Sequence, residues 1–292
     1  MPSKPVAVPL LVVVVLLLMG SGVAVAGDSQ NEGGWTHQSN LQVRATPVGV
    51  SLFSDTGYRW PVDVGDGPLF EGTGVETGLA TSLSPAYGWA GPYIEILPIA
   101  VLNLRASVQL MHYWGAFGHL YIPSDDADGQ PGGWSDGNLD RAWDDGLGQS
   151  ASGWKLHLEA TPQMLIDRWA IQIPSEYHRI DVDVDDPYYE PYLDVLMAPT
   201  EDLWITSPTV GYVLGEDPED SFLLVGIRWE RLVATRADIT RDTVGLVWNW
   251  KLPQGMISPG ETSFSGFAGA FVDHPTRGSV APYLGLELSI GF

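Results

Sequence analysis

The chain has 292 residues and no cysteine, which allows one large domain and excludes both a disulfide framework and a lipid-modified amino-terminal cysteine. Fourteen basic residues against 36 acidic ones give a net charge of −22, so a nucleic-acid surface is excluded, because phosphate binding needs a basic face. Charged residues make up only 17% while there are 12 tryptophans and 11 tyrosines, rings suited to membrane interfaces where an apolar body meets a polar tip.

Residues 1–26 read as a cleaved secretory signal peptide. Lys4 precedes a mostly apolar run from Val6 to Met19, and the stretch closes on Ala24-Val25-Ala26. The run is shorter than the about 20 apolar residues of a spanning helix. Residues 27–292 then form the mature domain, with no linker-like break. No helical span follows, so a membrane-embedded mature chain has to close its backbone hydrogen bonds in a β-barrel.

Strand periodicity dominates that domain, since successive side chains on a strand face opposite sides. Leu102, Leu104, Ala106, Val108 and Leu110 alternate with Asn103, Arg105, Ser107 and Gln109. Trp154, Leu156, Leu158 and Ala160 alternate with Lys155, His157, Glu159 and Thr161. Leu223, Val225, Ile227 and Trp229 oppose Gly226, Arg228 and Glu230, then Val244, Leu246, Trp248 and Trp250 oppose Gly245, Asn249 and Lys251. Leu224 and Val247 fall on the polar side of these two. The last strand sets Leu284, Leu286, Leu288, Ile290 and Phe292 against Tyr283, Gly285, Glu287, Ser289 and Gly291. Segments of about ten residues with one apolar face suit lipid outside and a polar lumen inside.

The predicted strands are 39–53, 72–83, 88–97, 102–116, 152–161, 167–180, 189–198, 203–214, 221–235, 242–252, 263–273 and 279–292. They define an all-β, antiparallel transmembrane barrel of about 12 strands, with 14 as the alternative if Pro47 splits the first and another strand follows residue 151. A soluble sandwich would alternate as well. Segments such as Pro199-Thr200-Glu201-Asp202, Gly215-Glu216-Asp217-Pro218 and Asp273-His274-Pro275-Thr276 are predicted turns.

The final ten residues, Tyr283 to Phe292, resemble the carboxy-terminal signature of Gram-negative outer-membrane barrels, alternating apolar residues that close on a terminal aromatic. Ser84-Pro85-Ala86-Tyr87 and Leu102-Asn103-Leu104-Arg105 resemble stretches of poorly characterised barrel proteins of this class. The resemblance implies an outer-membrane address, outer-membrane lipid and lipopolysaccharide as surroundings, and recognition of the last strand by the barrel assembly machinery. It implies no activity. Threading the predicted strands with both ends periplasmic puts the longest connection, His119 to Ala151, on the periplasmic side, against the rule that long loops face outward.

Several constellations bear on chemistry. Asp181, Asp183 and Asp185 share a face if extended and would offer oxygen ligands to a divalent cation, though the spacing is not that of a calcium-binding helical loop: Asp186 stands where glycine is needed and Tyr192 where the bidentate glutamate belongs. As a rival reading they are a solvated strand end. Asp125, Asp126, Asp128, Asp136, Asp140, Asp144 and Asp145 lie in the long glycine-rich connection, a second place for cations or for bridging lipopolysaccharide phosphates; a polar loop explains them equally. Arg44, Arg105, Lys155, His157, Glu159, Arg228, Glu230, Lys251 and Glu287 are expected to project into the lumen, either lining a pore or pairing to fill the barrel. The six histidines, His37, His112, His119, His157, His178 and His274, sit in no nucleophile motif, and no metalloprotease helix or phosphate loop occurs. The expected function is therefore a passive, porin-like pore or a structural surface component without a cofactor. An outer-membrane hydrolase and a secreted soluble all-β binding protein are the alternatives.

Overall fold

A computed structural model describes residues 33–45, 48–65, 67, 69–70, 72–115, 148–190, 192–215, 221–258, 260–274 and 282–291. The signal peptide, Pro47, the aspartates of the long connection, His119 and Phe292 lie outside the described residues. The strands are β1 Gly34–Ala45, β2 Val48–Pro61, β3 Gly74–Leu83, β4 Tyr87–Ile99, β5 Leu102–Tyr113, β6 Ala151–Ile166, β7 Trp169–Gln172, β8 Ser175–Val182, β9 Tyr188–Glu190, β10 Val195–Met197, β11 Thr200–Thr206, β12 Thr209–Leu214, β13 Phe222–Ala234, β14 Ile239–Lys251, β15 Glu261–Asp273 and β16 Pro282–Gly291.

The ladder runs β11-β8-β6-β5-β4-β3-β2-β1-β16-β15-β14-β13 and closes because β13 also pairs with β11. The short strands β7 and β12 pair with each other and continue β8 and β11 in the same wall positions, between β6 and β13. The result is a closed antiparallel barrel of 12 wall positions. Proline explains the two split positions. Pro174 separates β7 from β8 and Pro208 separates β11 from β12, and neither can donate to a ladder. The amides beside them keep the wall together: Ile173 N donates to Pro162 O at 2.9 Å and Ser207 N donates to Pro174 O at 2.9 Å.

The count of 12 arises differently from the predicted list. Segment 39–53 is the hairpin of β1 and β2, in which Ala45 faces Val48 across the ladder. Segment 189–198 is no wall strand but the two-stranded hairpin β9–β10, a separate sheet. One strand is gained and one lost, and no further strand is needed after residue 151. These two changes also remove the threading conflict. Both described ends, Gly34 and Gly291, lie at one rim, and the long connection from β5 to β6 leaves from the opposite, distal rim. Barrels of this kind keep their long loops outside, so the distal rim is the outer one. Thr200–Thr206 is β11, so the predicted turn at Pro199–Asp202 gives way to strand.

The outward phase of the wall is apolar all round. Leu110 is 73% exposed, Trp35 68% and Ile227 60%, with Val108, Leu158, Val225, Leu246 and Leu286 between them. A water-facing surface does not carry a continuous apolar belt of this kind, so the soluble alternative falls. Aromatics mark both edges. Near the terminal rim Trp35, Tyr58 and Trp60 form one cluster and Trp169 with Tyr212 another; toward the distal rim Tyr177 packs on Trp204. Just beyond Trp204 the outward phase turns ionic: Asp202 accepts from Arg179 at 3.4 Å and from Arg236 at 3.1 Å, and Arg231 pairs with Asp242 at 2.7 Å.

Candidate functional site

The inward phase is polar near the terminal rim and apolar at the distal ends of β5, β8, β11 and β13. Tyr113, Ile180, Val182, Leu203, Ile205, Leu232 and Ala234 there are buried, although they line the inside of a barrel. What covers them is the hairpin β9–β10, which folds back from the distal rim into the lumen. Tyr188, Val195 and Met197 of the hairpin are fully buried against this patch. Burying each such side chain from water stabilises by about 1.5–3 kcal/mol, so the apolar distal lumen and the hairpin are complementary halves of one core. Tyr188 pairs with Met197 across the hairpin, and its hydroxyl donates to Met197 Sδ at 3.4 Å.

The hairpin tip is tied to the far side of the lumen. It enters from the β8–β11 side, and its tip residues are held from β1, β14 and the end of β15. Arg44 of β1 donates to the Tyr192 carbonyl and lies 4.3 Å from the centre of the Tyr192 ring. Arg241 of β14 donates to the Leu193 carbonyl and also pairs with Glu230 of β13. His274, just past β15, pairs with Asp194 at 3.3 Å, and Tyr189 donates to the same carboxylate at 2.6 Å. Asp194 adopts a left-handed conformation with φ 54°, which an aspartate tolerates in a tight turn. At the stem, the buried Glu201 carboxylate accepts the Ala198, Arg236 and Ala237 amides, stitching the hairpin to the β13–β14 turn.

Glu190 sits at the centre of this plug. It accepts from Tyr113 Oη at 3.2 Å and from the Leu193 amide, with Arg44, Lys155, Tyr87 and Tyr188 as the other charged or titratable groups around it. Burial raises its carboxyl above the ordinary value of 4.5, against the lowering effect of the Leu193 amide and Arg44. A group bound more tightly to its proton when docked favours docking in acid. That contribution is complete below about pH 4.5 and is lost as pH rises through the raised value. Openings of the barrel in a planar bilayer are therefore expected to become more frequent from pH 5 to pH 8, and Glu190→Gln to flatten that dependence. Equal opening frequency across the range in the unaltered protein would contradict it.

Most of the remaining inward charges are ion-paired, while Lys155 rests on a ring and Glu287 on an amide. Arg105 binds Asp55 at 2.8 Å and Glu95 at 3.3 Å and stacks on Tyr93. Lys155 lies 4.7 Å from the Trp89 ring centre. Arg228 and Glu230 pair at 2.5 Å, Lys251 and Glu261 at 3.0 Å near the terminal rim, and Glu287 accepts from Gln42 at 3.5 Å. Glu159 accepts from Thr161 at 2.7 Å, and His157 stacks on His178 beside Glu176. Asp181, Asp183 and Asp185 are not brought together. Asp181 points outward and accepts from Thr200 at 3.1 Å, and β8 ends at Val182, so the shared face does not continue to the other two. Among the described residues the three do not form a metal-like cluster; His157, Glu176 and His178 do. Of the other described histidines, His37 contacts Thr56 and Ser39, and His112 lies between Ser152 and Ser150.

A groove of about 1000 Å³ lies on the lipid-facing side, among Trp35, Tyr58, Trp60, Leu79 and Pro92, and is lined by no acidic, basic or histidine side chain. The residues missed from sequence are Glu176, Glu190, Asp194, Glu201 and Arg241. Arg241 was within reach, since it is in phase with Gly245 and Lys251 on the polar side of β14, whereas no alternation was read across β8 to mark Glu176.

A closed antiparallel wall with an apolar outer belt, aromatic edges and its long connection opposite the termini is a transmembrane β-barrel of the outer-membrane class. No protein-family model and no curated protein matches the chain. Among solved structures it is similar to the β domain of the Bordetella autotransporter BrkA, at 12% identity and a TM-score of 0.47 over 89% of this chain and 99% of that one. It is also similar to the translocator domain of the autotransporter NalP from Neisseria meningitidis, at 11% identity and 0.44 over 98% and 96%, and to LpxR from Salmonella typhimurium, at 9% and 0.40 over 87% and 99%. No activity is transferred at such identities.

Proposed function

We propose that the protein is a closed, non-conducting outer-membrane barrel, a structural surface component that presents its distal loops. The observation that carries this is the β9–β10 hairpin crossing the lumen and tied at its tip by Arg44, Arg241 and His274. Pairing of Arg105, Arg228 and Arg241 with luminal acids supports it, because a conducting pore keeps charged side chains available to ions whereas these are matched to one another. A porin-like path would have to run through the space the hairpin fills. Membrane lipid and lipopolysaccharide at the outer belt, and the assembly machinery at Tyr283–Phe292, are its proposed partners.

Liposome swelling tests this. Vesicles carrying the folded barrel, verified by heat-modifiable migration, are expected to swell in a small sugar no faster than protein-free vesicles. Swelling at rates typical of a general porin would overturn the proposal.

A further inference from the structure

At the edge of the plug, β6 and β8 place His157 directly opposite His178 in the ladder, with Glu176 two residues before His178 on the same inward phase. The two imidazoles are stacked, 4.4 Å between ring centres and 3° from parallel. Their Nε2 atoms converge on a single carboxylate oxygen, Glu176 Oε2, at 3.2 Å from His157 and 2.9 Å from His178. We propose that His157, Glu176 and His178 bind one divalent transition-metal ion of the zinc class inside the barrel.

Three features point to an ion rather than to a hydrogen-bonded trio. First, the ligand atoms all lie within 4.8 Å of one another. A tetrahedral ion with metal–ligand bonds near 2.0–2.1 Å keeps its ligands roughly 3.3 Å apart; the nitrogen–oxygen edges, 3.2 and 2.9 Å, need only a small opening at His178, and the nitrogen–nitrogen edge must close. Tilting the parallel rings toward each other closes it. Second, the trio leaves hydrogen-bonding capacity unused at a ligand atom: His157 Nε2 is buried and makes no well-formed hydrogen bond. Two imidazoles aimed at one oxygen atom compete for it, whereas an ion takes a lone pair from each. Third, the donor set is selective. Two imidazoles and a carboxylate suit zinc and its neighbours, while calcium takes six to eight oxygens. The Glu176 side chain retains 27% exposure, so aqueous ions reach the cluster, and a fourth position remains for water.

The ion would clamp β6 to β8 level with the edge of the hairpin core, since Leu203 and Ile205 of that core pair with His178 and Glu176 in the ladder. Ion binding does not depend on the lumen being closed, so its test is separate from that of the plug.

The folded barrel is stripped with a chelator, checked by heat-modifiable migration and titrated calorimetrically with Zn²⁺, and then loaded with Co²⁺ for its visible spectrum. The expected result is one site at micromolar affinity or tighter and a tetrahedral Co²⁺ band, with His157→Gln and His178→Gln each weakening binding about 100-fold or more, because even the loss of a partner behind a ligand costs 10–100-fold. Weak oxygen sites on this acidic chain persist in the double variant and are subtracted with it. Affinity unchanged in the double variant, or no Zn²⁺ step beyond its background, would overturn the site. If either variant fails to fold, the unaltered protein decides: Zn²⁺ should protect His157 and His178 from carbethoxylation while His37 and His112 stay reactive, and equal labelling with and without Zn²⁺ counts against the ion.

Discussion

Replacing Arg241 by methionine is expected to loosen the plug while sparing the wall. The guanidinium is 4% exposed, donates to the Leu193 carbonyl at the hairpin tip and pairs with Glu230. Methionine keeps much of the volume but leaves Glu230 with Arg228 and Ser207 alone. Removing one partner of a buried ion pair costs about 3–5 kcal/mol. Because Arg228 remains, about 2–3 kcal/mol is expected, which multiplies the undocked population by roughly 30–150. The β13–β14 ladder does not use this side chain, so heat-modifiable migration should be retained. Planar-bilayer recordings should show brief openings that are rare in the unaltered protein, and a silent, fully folded Arg241→Met barrel would show that the tip contact holds nothing.

Val195→Asp is expected to have the larger effect. Val195 is completely buried in the core formed by Tyr188, Met197, Leu203 and Leu232. A carboxylate there has no counter-ion within the apolar patch, and burying an unpaired charge costs more than undocking a three-residue strand pair can resist. The hairpin should leave the lumen and conduction should become continuous. Met197→Leu keeps most of the apolar volume and removes only the weak Sδ acceptor of Tyr188, so it should cost about 1.5 kcal/mol, far less than a buried charge, leaving the barrel closed. If Val195→Asp conducts no better than Met197→Leu, the apolar hairpin core is not what holds the plug.

Much of the wall was legible because a barrel strand has two chemically different environments on its two sides. Leu102 to Leu110 and Leu284 to Ile290 show lipid on one phase and lumen on the other, and the inward phase of these segments contains Arg105 and Glu287. The hairpin was misread for the same reason inverted. Tyr188, Tyr189, Val195, Leu196 and Met197 are apolar in both phases, which is wrong for a wall strand with a polar lumen and right for a segment enclosed on all sides. The first segment was read through because Val43, Val50 and Leu52 appear continuous in apolar character across the two residues that join β1 to β2. The proposed metal site was only partly visible: His157 stands out by alternation, but its meeting with Glu176 and His178 depends on ladder register, which is set by closure of the whole sheet. The distal apolar lumen, with Leu203, Leu232 and Ala234 inward, carries no polar phase to read, because the hairpin covers it.

The central claim is that the hairpin closes the barrel, and single-channel conductance of a barrel lacking it tests that most directly. Residues 185–198 are replaced by a short glycine-serine link, outside every wall strand, and the product is accepted only if it shows heat-modifiable migration. Stable open-channel steps in the excised barrel, beside only rare, brief openings of the unaltered protein, are the predicted result; the same rare openings in both, or steady conduction through the intact protein, would contradict it.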